Sequence, residues 1–159
     1  MKNNPLNLTV LPPATGQSII CKPVLQALPA WFGIDDANQH YLDHIEKNLT
    51  FIVTFDKQTV GFLSLSQPFP HSAEIYVMGI HPDFHRRGAG KALLNAAENY
   101  LKSQGVRFLQ VKTLSDKHPS PEYAQTRKFY IGTGFVALEE FPELWGVHNP
   151  CLQLIKVLV

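Results

Sequence analysis

Between residues 80 and 94 the chain reads Ile80-His81-Pro82-Asp83-Phe84-His85-Arg86-Arg87-Gly88-Ala89-Gly90-Lys91-Ala92-Leu93-Leu94. Strand-like sequence precedes this stretch and an amphipathic pattern follows it, so the order is strand, glycine loop, helix start. That order suits an anion. The N–H groups of a first helical turn have no partner inside the helix, and the macrodipole places partial positive charge there. Gly88 and Gly90 let backbone approach an anion with no Cβ in the way, and Arg86, Arg87 and Lys91 add local charge. A P-loop would require glycine where His85 stands and Ser or Thr where Ala92 stands. A dinucleotide fingerprint would require a third glycine where Leu93 stands. A turn that merely caps a helix accounts for the glycines but not for the cations beside them.

The flanks of the loop are equally legible. Upstream, Ala73–Ile80 alternates its faces, with Glu74, Tyr76 and Met78 on one side and Ile75 and Val77 on the other. Gly79 interrupts this run, which marks a bulge or a ligand passing close to the backbone. Downstream, Lys91–Gln104 carries Ala92, Leu93, Ala96, Ala97, Tyr100 and Leu101 at helical period, and Gly105 stands at the C-cap position.

Outward from this centre, a short strand is expected over Asn7–Leu11, closed by Pro12-Pro13. Two helices follow, about Pro23–Phe32, broken by Pro29, and Asp35–Lys47, with an acidic start and an apolar stripe of Tyr41, Leu42 and Ile45. Leu49–Phe55 and Val60–Leu65 form an antiparallel hairpin around Asp56-Lys57-Gln58-Thr59. A turn over Gln67–Ser72 leads into the strand before the loop. Val106–Thr113 is a strand, Glu122–Ile131 a helix, and Phe135–Leu138 and Leu152–Leu158 are strands. The order β-α-α-β-β-β-α-β-α-β-β predicts one α/β domain over residues 1–159. It is a mixed, mostly antiparallel twisted sheet with a β-α-β crossover from Ala73 to Thr113 and helices on both faces.

Bulk properties bound the rest. The 159 residues, 45% hydrophobic and 17% charged, make an ordinary globular chain able to bury roughly 70% of its unfolded surface. A formal charge of +1 argues against a broad footprint for nucleic acid or an anionic membrane, so any anion site is local. Cys21 and Cys151 fit neither a disulfide scaffold nor a zinc site and read as buried thiols. Met1–Pro13 lacks the apolar stretch of a secretory signal and no run of 18 apolar residues follows, so a soluble cytoplasmic protein is expected.

The stretch Ile80–Leu94 resembles the acyl-CoA-binding motif of GNAT acyltransferases, [QR]-x-x-G-x-[GA], with His85 at the Gln or Arg position. A second stretch, Pro121–Phe135, resembles the family pattern N-x-x-A-x-x-F-Y-x-x-x-G-F. Its F-Y-x-x-x-G-F core is complete, from Phe129-Tyr130 to Gly134-Phe135, while Tyr123 and Thr126 replace the family Asn and Ala. The resemblance implies the GNAT fold over roughly Leu49–Leu138. It also implies acetyl-CoA as co-substrate, its pyrophosphate on the backbone of His85, Arg86, Arg87, Gly88, Ala89, Gly90 and Lys91, and its pantetheine arm along Met78, Gly79 and Ile80. The implied activity is direct acetyl transfer to an amine, on a small molecule or a protein. No metal is called for, and a homodimer is compatible.

Two side chains then stand out for chemistry. Glu74 is either a solvated strand carboxylate or a general base, and the Ala73-Glu74-Ile75 order resembles the histone-acetylating branch, where this Glu is the base. Such a base has work to do. An ammonium of pKa ~10.4 must lose a proton before attack, at a cost of about 4–5 kcal/mol at pH 7. Tyr130, with a reference pKa of ~10, is protonated at neutral pH and can donate to a leaving thiolate of pKa ~8.5, whereas Phe129 and Phe135 pack the core. Trp31 and Phe32 lie where GNAT folds wall the acceptor, either shaping a pocket or packing. Trp145, in the loop Phe141–Gly146, stays open between recognition and packing. His40 and His44 have a zinc-compatible spacing but lack a third ligand and read as surface histidines. A non-catalytic acyl-CoA sensor is the alternative reading, and retention of Glu74 and Tyr130 speaks against it.

Overall fold

A computed structural model describes residues 7–159, so the first six residues of the N-terminal reading lie outside it. The strands are β1 (Leu8–Val10), β2 (Thr50–Phe55), β3 (Gln58–Phe69), β4 (Ser72–Ile80), β5 (Phe108–Leu114), β6 (Val136–Phe141) and β7 (Cys151–Val157). The helices are α1 (Ser18–Gln26), α2 (Asp35–Lys47), α3 (Ala89–Ser103) and α4 (Pro121–Gly132). They form a single α/β domain around one seven-stranded sheet of order β1-β2-β3-β4-β5-β7-β6. It is mostly antiparallel, with β4 and β5 parallel across the α3 crossover. Two compact units can be distinguished: Val77–Tyr100 with the chain up to Ser66, and Gln67–Tyr76 with Leu101–Val159.

In the first unit, the β2–β3 turn is tighter than expected. Asp56 and Lys57 alone make it, at φ +53° and +66°, the primed geometry that matches the twist of paired strands. The first helix also differs from expectation, beginning at Ser18 and carrying Pro23 in its interior. Its start is set from outside its own sequence: Glu46 of α2 accepts from both the backbone N–H and the hydroxyl of Ser18. That carboxylate satisfies a first-turn donor that the N-cap Gln17 leaves alone. Taking Pro23 for the helix start misses this, because the capping group is 28 residues away.

Cys21, Val24, Leu25 and Leu28 pack with Ile45, Ile52, Phe62 and Val77, flanked by Trp31, Phe32, Tyr41 and Leu42. Each large apolar side chain buried this way contributes about 1.5–3 kcal/mol. Phe51, which alternates with Ile52 along β2, meets Tyr100 of α3 instead, at 5.9 Å between ring centroids. Helices therefore cover both faces of this sheet. β3 runs on through Pro68 to Phe69, so the Gln67–Ser72 turn contracts to Pro70-His71.

In the second unit, β7 pairs antiparallel with β5 from Phe108↔Val157 to Leu114↔Cys151, and β6 pairs with its other edge. The hydroxyl of Ser120 caps α4 by accepting from Tyr123 N at 3.2 Å. α3 and α4 end alike. Val106 N donates to Leu101 O and Gly105 N to Lys102 O, with Gly105 at φ +79°; Phe135 N donates to Tyr130 O and Gly134 N to Ile131 O, with Gly134 at φ +103°. These are Schellman closures, which need a left-handed residue that glycine supplies without strain.

Candidate functional site

The loop expected to hold an anion starts where β4 ends. A 3-10 turn at Pro82–Phe84 is capped by His81, whose Nδ1 accepts from Asp83 N at 3.2 Å. His85 then turns back, its Nε2 hydrogen-bonded to Ile80 O at 2.6 Å and its ring edge-on to Trp31 at 5.5 Å. At the motif's Gln or Arg position, this imidazole closes the loop on the strand end. Arg86 and Gly88 adopt φ +58° and +88°, and Gly88 O accepts from Ala92 N at 2.9 Å, which makes Gly88 the residue that opens α3. The amides of Ala89, Gly90 and Lys91 thus form the first turn and lack intrahelical acceptors. No acidic residue stands in that turn to compete for them. Arg86, Arg87 and Lys91 are exposed, and Ala89 is buried. A Cβ on Gly88 would meet no protein atom within 4 Å, so backbone conformation, not packing, calls for glycine there.

Burial along β4 alternates as the sequence predicts, with Glu74, Tyr76, Met78 and Ile80 less buried than Ala73, Ile75 and Val77. The parallel ladder with β5 runs from Ser72↔Phe108 to Ile75↔Val111, and β4 continues to Ile80. Gly79 has a packing reason that the sequence does not reveal. A Cβ there would come 3.1 Å from Phe62 Cε1 and 3.2 Å from Leu28 Cδ1. Gly61 is tighter, with the backbone oxygen of Gly79 at 3.0 Å from where its Cβ would sit. The two glycines let β3 and β4 lie close beneath the aromatic core.

Glu74 sits in the second unit with its side chain 18% exposed, and its Oε2 accepts from Lys112 Nζ at 2.9 Å. Lys112 was not singled out from the sequence. The signal was present in the alternation of β5, which puts Lys112 on the face of Gln110, the residue opposite Glu74. Cys151 lies near this pair and is buried. Burial pushes its thiol up, Lys112 pulls it down and Glu74 pushes it up again.

Tyr130 is 5% exposed, its ring edge-on to Phe129 and Phe135 at 5.3 and 5.4 Å. Between the paired aromatics of this motif it is Tyr130, not Phe129, that joins Phe135 in the core. Burial first, and the nearby Tyr123 second, hold its phenol well above its ordinary value. It keeps its proton at any physiological pH.

The remaining candidates separate. Trp31 and Phe32 both pack against the core of the first unit, Phe32 edge-on to Tyr41 and Trp31 against the loop through His85. Trp145 is 43% exposed in the β6–β7 connection. His44 is engaged by Leu65 O at 3.1 Å, and His40 is exposed. Both cysteines are free and buried. Among the described residues no helix is long and apolar enough to cross a membrane.

Comparison with known proteins bears on the fold and the family. No curated protein matches the chain. Among solved structures, a GNAT-family protein from Desulfovibrio desulfuricans superposes with a TM-score of 0.83 at 15% identity, covering 96% of this chain and 99% of that one. The ribosomal-protein-S18-alanine N-acetyltransferase of Escherichia coli gives 0.74 at 17% identity, covering 95% and 94%. A GNAT-family acetyltransferase from Elizabethkingia anophelis, solved with acetyl-CoA bound, gives 0.74 at 16% identity, covering 96% and 99%. At these identities the likeness establishes the fold. Residues 23–135 match the acetyltransferase (GNAT) family itself, which is most of the chain, and the protein belongs to that family.

Proposed function

We propose that the protein is a cytoplasmic N-acetyltransferase that moves an acetyl group from acetyl-CoA to a primary amine by direct transfer. The observation that carries this reading is the start of α3. No acidic residue stands in its first turn, two left-handed residues shape the loop, and Arg86, Arg87 and Lys91 supply charge. A pyrophosphate fits such a cradle by charge and by backbone access. Met78, Gly79 and Ile80, on the length of β4 past its ladder with β5, are the positions for the pantetheine arm.

The co-substrate supplies an acetyl thioester. Glu74 takes a proton from the acceptor ammonium, directly or through water, as the nitrogen attacks, general-base assistance of about 10²–10⁴-fold in rate. Tyr130 donates toward the departing sulfur. Because its phenol is held above its ordinary value, full proton transfer to a thiolate of pKa ~8.5 is uphill, and its contribution is mainly a hydrogen bond to the developing charge. Trp31 and Phe32 are the candidates for shaping the acceptor side.

The test is a panel of amines with acetyl-CoA, covering polyamines, amino acids, aminoglycosides and peptide N-termini, read as free thiol release. Turnover of at least one amine supports the reading. Acetyl-CoA binding without turnover of any amine or of the protein's own lysines would move the assignment to a sensor.

A further inference from the structure

Lys112 places a primary ammonium against the carboxylate proposed as the base. Its Nζ lies 2.9 Å from Glu74 Oε2, with the two side chains 25% and 18% exposed. Strand register explains the meeting: Glu74 is opposite Gln110 in the parallel ladder, and Lys112 is the next residue on that face of β5, just past the last paired position, Val111. Among the described residues a second ion pair with Lys, Lys117 with Glu140, is a surface contact in which the lysine is 68% exposed. The Glu74–Lys112 pair is more secluded, yet both side chains keep some access to solvent.

We propose that Lys112 is a self-acetylation site of this enzyme, with Glu74 taking the proton from its ammonium. The inference rests on the reading of Glu74 as the base. Lys112 Nζ gives one proton to the Glu74 carboxylate and attacks the thioester carbonyl. A C–N bond forms, the C–S bond breaks, the sulfur leaves as CoA thiol on taking up a proton, and the remaining proton passes from Glu74 to solvent. The product is a neutral amide, so the ion pair is lost and Glu74 is released from its resident cation. A first acetylation therefore changes the enzyme that performs all later ones: an external amine no longer has to displace Lys112 to reach the carboxylate.

The experiment incubates the protein with acetyl-CoA and no added amine, follows intact mass for the gain of one acetyl group, and maps it by peptide digestion. The exposed Lys57 and Lys102 serve as internal references for uncatalysed acetylation. Lys112 is expected to react at least about 10²-fold faster than these references, the lower range for general-base assistance. Glu74→Gln should bring Lys112 down to the reference rate while leaving Lys57 and Lys102 unchanged. In Lys112→Arg, which keeps a cation beside Glu74, the fast phase should vanish. Acetylation of Lys112 no faster than the references, or equally fast in Glu74→Gln, overturns the proposal. If the amine panel is turned over in that case, the self-acetylation site alone is wrong. If no amine is turned over and acetyl-CoA does not bind, the proposed function falls with it.

Discussion

Gly88 and Gly105 bracket α3 and allow the anion cradle to be tested against a control of equal backbone strain. Both are left-handed, at φ +88° and +79°, and a Cβ on either would meet nothing within 4 Å. Asn tolerates that conformation better than other side chains, so Gly88→Asn and Gly105→Asn should each cost about 1 kcal/mol, or a fall in Tm of roughly 2–4 °C for a domain of this size. They should differ in ligand binding. The 15 residues of α3 separate the two positions by about 22 Å. Only at residue 88 does the added amide stand over the first-turn N–H groups. Losing one charge-assisted hydrogen bond to pyrophosphate costs about 1.5–3 kcal/mol, so calorimetry should find acetyl-CoA bound at least about tenfold more weakly by Gly88→Asn. Gly105→Asn should bind as wild type does. Wild-type affinity in a folded Gly88→Asn protein, or an equal loss in Gly105→Asn, would refute the cradle.

Glu74→Gln keeps an oxygen that can accept from Lys112 but loses the proposed base. Turnover should fall by about 10²–10⁴ at neutral pH with acetyl-CoA affinity kept, and the deficit should shrink at high pH as the amine deprotonates by itself; a pH-independent deficit argues for a structural role. Tyr130→Phe should lower kcat by roughly 10–10²-fold, with a steeper dependence on leaving-group pKa across acyl-CoA analogues, and an unchanged slope would make Tyr130 a packing residue. Burial raises the Cys21 thiol from 9.0 to about 12, so the folded state keeps a proton that the unfolded chain gives up. The stabilisation is complete below the unfolded value and is lost as pH climbs from about 9 toward 12, at up to about 1.4 kcal/mol per pH unit. Denaturant titrations should therefore show a shallower alkaline decline in Cys21→Ala than in wild type, despite its lower stability at pH 7.

What could be read ahead of the structure was what local sequence controls. The α2 boundaries follow from an acidic start and one apolar stripe, and they coincide with the observed Asp35–Lys47. The alternation of β4 and the glycine after α3 are likewise written in neighbouring residues. What escaped depends on distant partners. α1 begins at Ser18 because Glu46 caps it, and nothing near Ser18 announces that. At Gly79 local sequence suggests a bulge or a ligand's approach and cannot show that Phe62 and Leu28 also crowd its Cβ position. Lys112 was passed over because its meeting with Glu74 depends on the register of two strands joined only through α3. In the second family motif, the Phe-Tyr pair shows two aromatics but not which is buried, and the outward order was the reverse of the one expected.

The bond from His85 to Ile80 O closes a short ring, and it bears on the tempo of ligand capture. Four residues, His81 to Phe84, are spanned by a side-chain clasp that Trp31 backs from the ring edge. Fixing backbone costs about 1–2 kcal/mol per residue in conformational entropy, and here that cost falls on folding and not on the encounter. On the proposed function, an acyl-CoA meets a loop already ordered at its entry, so its association should be limited by diffusion and orientation, and discrimination among acyl donors should lie in how fast each one departs.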